Sequence, residues 1–279
     1  MKYYKLDRDT KAYLKRMAVD GIKTPADIYS VNDFVVGLKD YSLWGNVIFW
    51  PLRANQNAGS GNIVYSLGGL TGGSRLDGTL ISNPIWHTHG IFFNSLNQYI
   101  SLSGASINTD AFTSLSVLST IASDNNSHLF GLFQYLSLNP TRGVSHAIFG
   151  PTGNGAINFN GLTGGIRRKG NQNVTNVGIG FYYASAGVSN LSDPVNSTGF
   201  VQLNSTRNTT SSGSGVLPYT FSSDLYWLFG FQGSVRHEIA SFQIWFSGKL
   251  LTQSEILQLQ NLYKSTLGKG LNLPWDFIN

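Results

Sequence analysis

The sequence predicts an all-β protein: an antiparallel β-sandwich with a short helical N-terminal lead and a C-terminal helix. Three observations support this fold class. From about residue 46 to residue 247 the chain consists of short aromatic and β-branched runs. Glycine, asparagine, serine or proline separates these runs roughly every 8–15 residues, as in sandwiches and jelly rolls. The two ends of the chain instead place apolar residues at helical spacing.

The helical lead is predicted over residues 1–43. The spacing of Leu14 and Met17 indicates one face of a first helix, and that of Phe34 and Leu38 indicates one face of a second. A short amphipathic helical pair has an apolar stripe to bury. Either this stripe attaches the chain to a larger assembly, or it packs against the chain's own sandwich.

Capping signals set the helix ends. Thr24, followed by Pro25, predicts the N-cap and the first position of the second helix. Thr252 and Glu255 have the spacing of a capping box, in which each residue bonds to the backbone of the other. A C-terminal helix is therefore predicted over residues 252–267.

The predicted sandwich domain covers residues 44–279 and contains roughly twelve strands. Residues 91–93 and 99–102 flank a polar segment, 94–97, and this arrangement predicts a hairpin. In the last strand, apolar residues from Ala240 to Phe246 alternate with Ser241 and Gln243, as in a strand that buries one face.

A polar stretch interrupts the strand pattern at residues 185–224. It is rich in serine, asparagine, threonine and glycine, and residues 209–215 are its most flexible-looking part. We expect a long surface hairpin or loop. A contact loop at one end of the sandwich is the functional alternative.

Composition excludes several classes. Hydrophobic residues make up 41% of the 279 residues, so the chain can fill a core. Cysteine is absent, which rules out disulfides, thiolate metal sites and a cysteine nucleophile. The net charge of +5 is scattered, so we expect no nucleic-acid partner. No apolar run reaches the roughly 18 residues that a spanning helix needs, so we expect no membrane insertion.

The scarcity of glutamate argues against catalysis. Glycosidases use two carboxylates that flank the scissile bond. Glu238 has no acidic neighbour in sequence and Glu255 is assigned to a helix cap, while the aspartates of the β region are isolated. The Gly-x-Ser-x-Gly elbow of serine hydrolases is also missing. We therefore expect no enzymatic activity, and polysaccharide hydrolysis is a distant third hypothesis.

The pair His87 and His89 could bind a metal, since alternate residues of a strand point to one face. A third ligand is needed, and His128, His146 and His237 cannot be placed from sequence. A turn or strand surface is the simpler interpretation, so we expect no metal site and no cofactor. The asparagine and aspartate residues would permit calcium binding without specifying it.

Four residues are the candidate ligand contacts. Arg167 and Arg168 lie in the densest positive segment of the β region, between turn glycines, where guanidinium groups could hold an anion or an acidic surface. Tyr182 and Tyr183 follow in an aromatic run, and by alternation one of them should face outward as a platform for a sugar ring. The alternatives are a solvated hairpin tip and a tyrosine that packs under a loop.

Several segments resemble laminin G-like and concanavalin A-like proteins. Residues 86–102 resemble a strand pair in which a glycine, an apolar–Phe step and an Asn or Asp turn precede Tyr-Ile or Tyr-Val. Residues 112–117 resemble the next core strand. Residues 239–256 are similar to the closing strand and the helix start that follows it. The resemblance spans about residues 44–268 and implies a concanavalin A-like (laminin G-like) jelly roll.

The two ends of the chain, in residues 32–44 and 262–271, resemble laminin G-like proteins of tailed bacteriophages. This resemblance implies a structural protein of the virion, made in the host cytoplasm, that uses a lectin-like domain for adhesion to host-surface glycans. An architectural capsid decoration or cementing protein without a ligand is the alternative. The implied partners are other virion proteins and host glycans, and we expect a homo-oligomer. In this interpretation residues 1–43 attach the protein to the particle.

Overall fold

The computed structural model describes residues 5–19, 25–70, 76–95, 97–102, 107–108, 111–121, 127–134, 142–149, 154–160, 172–173, 180–187, 198–203, 206–211, 220–221, 226–228 and 238–273. Side-chain surroundings are described for residues 5–18, 25–70, 76–95, 97–102, 113, 115–117 and 239–273. The helices are α1 Arg8–Val19, α2 Ile28–Asp40 and α3 Gln253–Ser265, with a 3₁₀ turn at Trp44–Asn46.

Nineteen strands are described. In chain order they are β1 Val47–Pro51, β2 Ile63–Val64, β3 Leu67–Gly68, β4 Gly78–Ile81, β5 Ile85–His87, β6 Gly90–Phe93, β7 Tyr99–Leu102, β8 Ile107–Asn108, β9 Ala111–Ile121, β10 Ser127–Gln134, β11 Arg142–Phe149, β12 Asn154–Asn160, β13 Gln172–Asn173, β14 Gly180–Gly187, β15 Thr198–Leu203, β16 Thr206–Ser211, β17 Thr220–Phe221, β18 Tyr226–Leu228 and β19 Glu238–Ser247. The sequence predicted roughly twelve strands, and the excess comes largely from two-residue strands that are too short to show a periodic pattern.

Two large sheets build the fold. The first has the order β16-β15-β14-β9-β19-β1-β3, and β6 joins its centre by pairing with β19 on one side and β5 on the other. The second has the order β13-β12-β11-β10-β18-β7-β4-β2, and a small pair joins β17 to β8. All these pairings are antiparallel, so the predicted all-β antiparallel sandwich is confirmed.

The helices cover one face of the first sheet. Phe34 of α2 is fully buried, and its ring makes edge contacts with Phe49 of β1 at 5.0 Å and Phe242 of β19 at 5.3 Å between centroids. Tyr263 of α3 lies 4.8 Å from Phe242. Met17 of α1 belongs to the same buried cluster. The apolar stripe of the helical lead is therefore packed against the chain's own sheet.

The opposite face of the first sheet is also buried. Trp50 of β1 and Trp245 of β19 lie 4.6 Å apart on this face, and the Trp50 Nε1–H donates to the carbonyl of Leu76, just before β4 of the second sheet. Ser241 and Gln243, which alternate with the apolar residues of β19, are buried as well. The alternation in β19 thus separates two buried environments, one apolar and one mixed.

Local helix signals were confirmed, with one correction. The capping box is present, since the Glu255 N–H donates to Thr252 Oγ1 at 3.2 Å and the Thr252 N–H donates to Glu255 Oε2 at 2.8 Å. The predicted N-cap of α2 was wrong. Asp27, and not Thr24, caps this helix, and its carboxylate accepts from the Ser30 N–H at 3.4 Å. Thr24 itself lies outside the described residues.

The predicted hairpin of residues 91–93 and 99–102 was also wrong. These runs are β6 and β7, and they belong to different sheets, because β6 pairs with β19 and β5 while β7 pairs with β18 and β4. An alternating pattern shows that a strand is half-buried, but it does not show which neighbour it pairs with. The segment between them therefore crosses from one sheet to the other.

The polar stretch 185–224 contains regular structure. β15 and β16 form an antiparallel pair in the register Leu203↔Thr206 to Thr198↔Ser211, so the hairpin alternative holds for this part. Residues 209–211, predicted to begin the flexible centre, lie in β16. Threonine favours strands, and this preference outweighs the polar composition. Residues 212–215 lie outside the described residues.

Within the described part of the chain, no helix has the length and apolar character needed to cross a membrane.

Candidate functional site

The predicted ligand contacts lie mostly beyond what the structure describes. Arg167 and Arg168 are outside the described residues. Tyr182 and Tyr183 are placed in β14, where Tyr182 is opposite Ser116 of β9 and Tyr183 is opposite Leu115. β14 is an inner strand of the first sheet. That one of these tyrosines faces outward stays a prediction.

A different candidate site lies at the β5–β6 hairpin. We define the hairpin patch as Ile85, Trp86, His87, Thr88 and His89. Ile85 is 52% exposed, and His87, Thr88 and His89 are exposed. Trp86 is partly buried against the core, and its Nε1–H donates to the Gly61 carbonyl at 3.0 Å. The patch therefore combines apolar surface with polar groups on a supported hairpin.

The hairpin is positioned by a close approach of two backbones. His87 pairs with Gly90 across the turn, and β6 continues along β19 through the pair Ala240↔Ile91. A Cβ atom added at Gly90 would lie 2.1 Å from the carbonyl oxygen of Ala240. Only glycine allows this approach. Gly90 thus fixes where the turn with Thr88 and His89 emerges from the first sheet.

Buried Arg53 holds the hairpin turn in place through hydrogen bonds. It is 8% exposed, and its Nε–H donates to the Thr88 carbonyl at 3.0 Å. Its Nη1 donates to the carbonyls of Leu267 and Lys269, both at 2.9 Å. The Ala54 N–H also donates to the His87 carbonyl at 3.1 Å. One guanidinium group therefore ties the hairpin turn to the segment that follows α3.

A second support holds the chain where it enters and leaves the hairpin. The Gln98 side chain is 4% exposed and uses its full hydrogen-bonding capacity. Its Oε1 accepts from the N–H groups of Asn94 and Ser95, at 2.6 and 2.9 Å, and its Nε2 donates to the carbonyls of Ser82 and Asn83, both at 3.1 Å. Ser82 and Asn83 have left-handed backbones, with φ of 60° and 55°, a strained conformation that is enriched at functional sites.

The two histidines interact with each other. Their ring centroids are 5.3 Å apart, and the His89 N–H donates to His87 Nδ1 at 3.2 Å. His87 Nδ1 is thus an acceptor, which leaves the proton of the neutral ring on Nε2. Burial, together with the charges of His87 and Arg53, lowers the pKa of His89 below its ordinary 6.5. The loss of the proton from His89 is therefore favoured by its surroundings.

The expectation of no metal site stays a prediction. Among the described residues, no group of three His, Asp or Glu side chains could hold a metal ion. The side chains of His128 and His146 are not described, and His237 lies outside the described residues.

The described carboxylates that pair with basic groups have structural roles. Asp7 and Asp9 both contact Lys39, Asp77 contacts Arg16, and Glu255 contacts Lys249. These pairs join α1 to α2, α1 to the second sheet, and the end of β19 to α3.

Sequence reasoning identified part of the hairpin patch and missed its supports. His87 and His89 stood out as a close pair, but only as a possible metal site. Arg53 and Gln98 carry no local signal, because their partners come from segments that are distant along the chain, such as Leu267. Gly90 was visible only as a glycine after the histidines.

No family model matches the sequence, and no curated protein matches it. Solved structures of similar fold include Trypanosoma rangeli sialidase in complex with a difluorinated sialic acid, at a TM-score of 0.53 and 11% identity, over 87% of this chain and 40% of the sialidase. The receptor-binding domain of botulinum neurotoxin D gives 0.48 and 9%, over 77% and 52% of the two chains. The carbohydrate recognition domain of Emp47p gives 0.38 and 14%, over 72% and 95%.

These similarities concern the fold alone, because the identities are low. The chain spans less than half of the sialidase and about half of the toxin domain. The sialidase comparison, with a TM-score above 0.5, shows a shared fold over 87% of this chain and does not bear on its activity.

Proposed function

We propose that the chain is a glycan-binding, lectin-like domain and that the hairpin patch contacts the sugar. The observation that carries this proposal is the exposure of Ile85 and the two histidines around the partly buried Trp86, on a hairpin that buried groups hold in place. Sugar sites need an apolar surface for the CH face of the ring and fixed hydrogen-bonding groups for the hydroxyls. The patch supplies both, and its supports pre-organise it.

The setting that we propose for this activity is a bacteriophage virion, in which the protein acts as an adhesin for host-surface glycans. Support for this setting comes from the sequence resemblance at residues 32–44 and 262–271. We further propose that the domain binds without cleaving, with no cofactor, and that it assembles with other virion proteins as a homo-oligomer. Because residues 1–43 bury their apolar stripe within the chain, attachment through this lead would use its outer surface.

Binding is tested with the purified full chain on a panel of neutral and acidic glycans, in the presence of calcium and of a chelator. A protein of similar fold has been solved with sialic acid, so acidic sugars belong in the panel. Trp86→Leu should weaken binding by about tenfold or more, equivalent to about 1.4 kcal/mol. The matched control is Trp44→Leu, since Trp44 is also partly buried against the same core but lies outside the patch.

The outcomes separate the hypotheses. Equal losses in the two tryptophan variants would place the binding site elsewhere, with Arg167 and Tyr182 as the next candidates. An absence of binding under every condition would refute the glycan-binding proposal and favour an architectural role. That role predicts loss of particle integrity when the protein is removed, whereas an adhesin predicts loss of adsorption by intact particles. Release of sugar from host polysaccharide would refute the proposal that the domain does not cleave.

A further inference from the structure

The outer face of α1 is basic. Met17 buries the inner face of this helix in the core, and the opposite face presents Arg8, Lys11 and Lys15 at helical spacing. All three are exposed, and the Arg8 side chain keeps 93% of its accessible surface. Arg8 lies 4.0 Å from Asp9. Within the described part of the chain, no ion pair includes Lys11 or Lys15.

The outer face of α2 carries acidic and apolar groups. Leu38 belongs to its buried face, and the opposite face presents Asp33, Val36 and Asp40 at helical spacing. Val36 is 37% exposed, Asp40 is exposed and Asp33 is partly exposed. Among the described residues neither carboxylate belongs to an ion pair, and Asp33 Oδ1 accepts a long hydrogen bond from Asn32 Nδ2 at 3.4 Å.

The two helices are neighbours in the layer that covers the first sheet. Lys39 of α2 pairs with Asp7 and Asp9, both at 2.6 Å, and the Asp7 N–H donates to Asn32 Oδ1 at 2.7 Å. The charges between the helices are thus satisfied within the chain, whereas those of the two outer faces lie at the surface. An isologous interface uses the same surface of both copies and needs a self-complementary surface. A two-fold axis between α1 and α2 would bring each basic face opposite an acidic one.

We propose that a second copy of the chain docks on this helical layer, with the basic face of α1 in each copy against the acidic face of α2 in the other. The inference rests on the homo-oligomer of the proposed function, names its interface and does not depend on glycan binding. A partner of a single charge sign would be attracted to one helix and repelled by the other, and like charges across an interface are costly. The complementary charges therefore favour a second copy.

The test is a set of charge reversals on the full chain. One variant reverses the basic face, Lys11→Glu/Lys15→Glu, and one reverses the acidic face, Asp33→Lys/Asp40→Lys. A fourfold variant combines them and keeps the net charge of +5. Lys269→Glu, at an exposed position outside both helices, is the control for a charge change alone. Sedimentation velocity measures dimerisation at about 0.1 M and about 1 M salt, where the Debye length is about 10 Å and about 3 Å. Thermal unfolding confirms that each variant is folded.

The wild-type chain should form a dimer that is about tenfold or more tighter at low salt than at high salt, because several exposed ion pairs act together and salt screens each of them. Each reversed face alone should weaken the dimer by about tenfold or more at low salt, since like charges then oppose each other. The two double variants, once mixed, should form a heterodimer, and the fourfold variant should dimerise alone, because every basic face again meets an acidic one. Lys269→Glu should dimerise like the wild-type chain.

Other outcomes would overturn the inference in different ways. A wild-type dimer that neither double variant weakens would refute this interface and leave the proposed homo-oligomer intact. Failure of both the mixture and the fourfold variant to dimerise would show that the faces of α1 and α2 do not meet. An equal loss in Lys269→Glu would reduce the effect to net charge. A chain that is monomeric at every concentration and salt would refute both the interface and the homo-oligomer.

Discussion

The contact between the helical lead and the first sheet gives a quantitative prediction for Phe34→Ala. Phe34 has no exposed surface and lies where α2, β1, β19 and α3 meet. If the lead is an integral part of the sandwich, removal of this ring should destabilise the whole chain. If the lead is an appendage for attachment, the sandwich should unfold as before.

The expected magnitude follows from the burial. Truncation of a buried phenylalanine costs about 3–5 kcal/mol, which includes the lost transfer free energy and the cavity that remains. The edge contacts with Phe49 and Phe242, at 5.0 and 5.3 Å, favour the upper half of that range. Since 1 kcal/mol shifts the Tm of a domain of 150–250 residues by roughly 2–4 °C, a loss in this upper half should lower Tm by about 8–20 °C.

Calorimetry and urea denaturation followed by tryptophan fluorescence measure this loss. Because Trp44 contacts Lys39 of α2, the fluorescence is measured in a Trp44→Phe background, where Trp50 and Trp245 on the opposite face of the first sheet report on the sandwich. Val36→Ala is the control, because Val36 is on the same helix but 37% exposed, and it should change the free energy of unfolding by less than about 0.5 kcal/mol. An unchanged Tm of the fluorescence transition in Phe34→Ala, or two separate transitions, would show that the lead is not an integral part of the sandwich.

Three further predictions concern the C-terminal helix and the hairpin patch. Thr252→Ala should cost about 1 kcal/mol in urea denaturation, because it removes the N-cap of α3. Burial acts to raise the pKa of Glu255, but hydrogen bonds from Lys249 and Thr252 outweigh it and lower the pKa below 4.5. The stability that Glu255 contributes is thus complete above pH 4.5 and is lost as the pH falls through the lower folded value, and Glu255→Gln should remove this part of the pH dependence. By NMR, His89 should titrate below 6.5, since burial and the charge of His87 lower its pKa; His87→Ala should raise it, and a value of 6.5 or more in the wild-type chain would contradict the geometry.

The sequence predicted those features that depend on near neighbours. The capping box of Thr252 and Glu255 needs only residues three apart, and the buried face of α2 follows from helical spacing. The prediction of the α2 N-cap was wrong because several residues before the helix have side chains that can cap it. Asp27 is held in place by a hydrogen bond from its N–H to the Asn55 carbonyl at 2.8 Å. That bond joins distant segments and leaves no local pattern.

The pairing of strands and the support of the site depend on contacts between distant segments. β6 and β7 look like a hairpin in sequence, yet Gln98 fixes the crossing between the sheets by bonding to two loops at once. Glutamine is mostly found at protein surfaces, but Gln243 is buried. It is accommodated because Ser116 of β9 donates to its Oε1. Such pairs become visible only when the register of β9 and β19 is known.

The burial of both faces of the central strands limits where a ligand can bind. β1 and β19 are covered by the helices on one side and face the second sheet on the other, so neither face offers a described surface to a sugar. In the proposed function, the ligand is therefore contacted by the hairpin turn, where Gly90 and Arg53 are buried supports and His87 and His89 are exposed. The residues that hold the hairpin in place are therefore different from those that are exposed to a ligand. A substitution at a support should change stability and binding together, and only a loss of binding at unchanged Tm identifies a residue that touches the ligand.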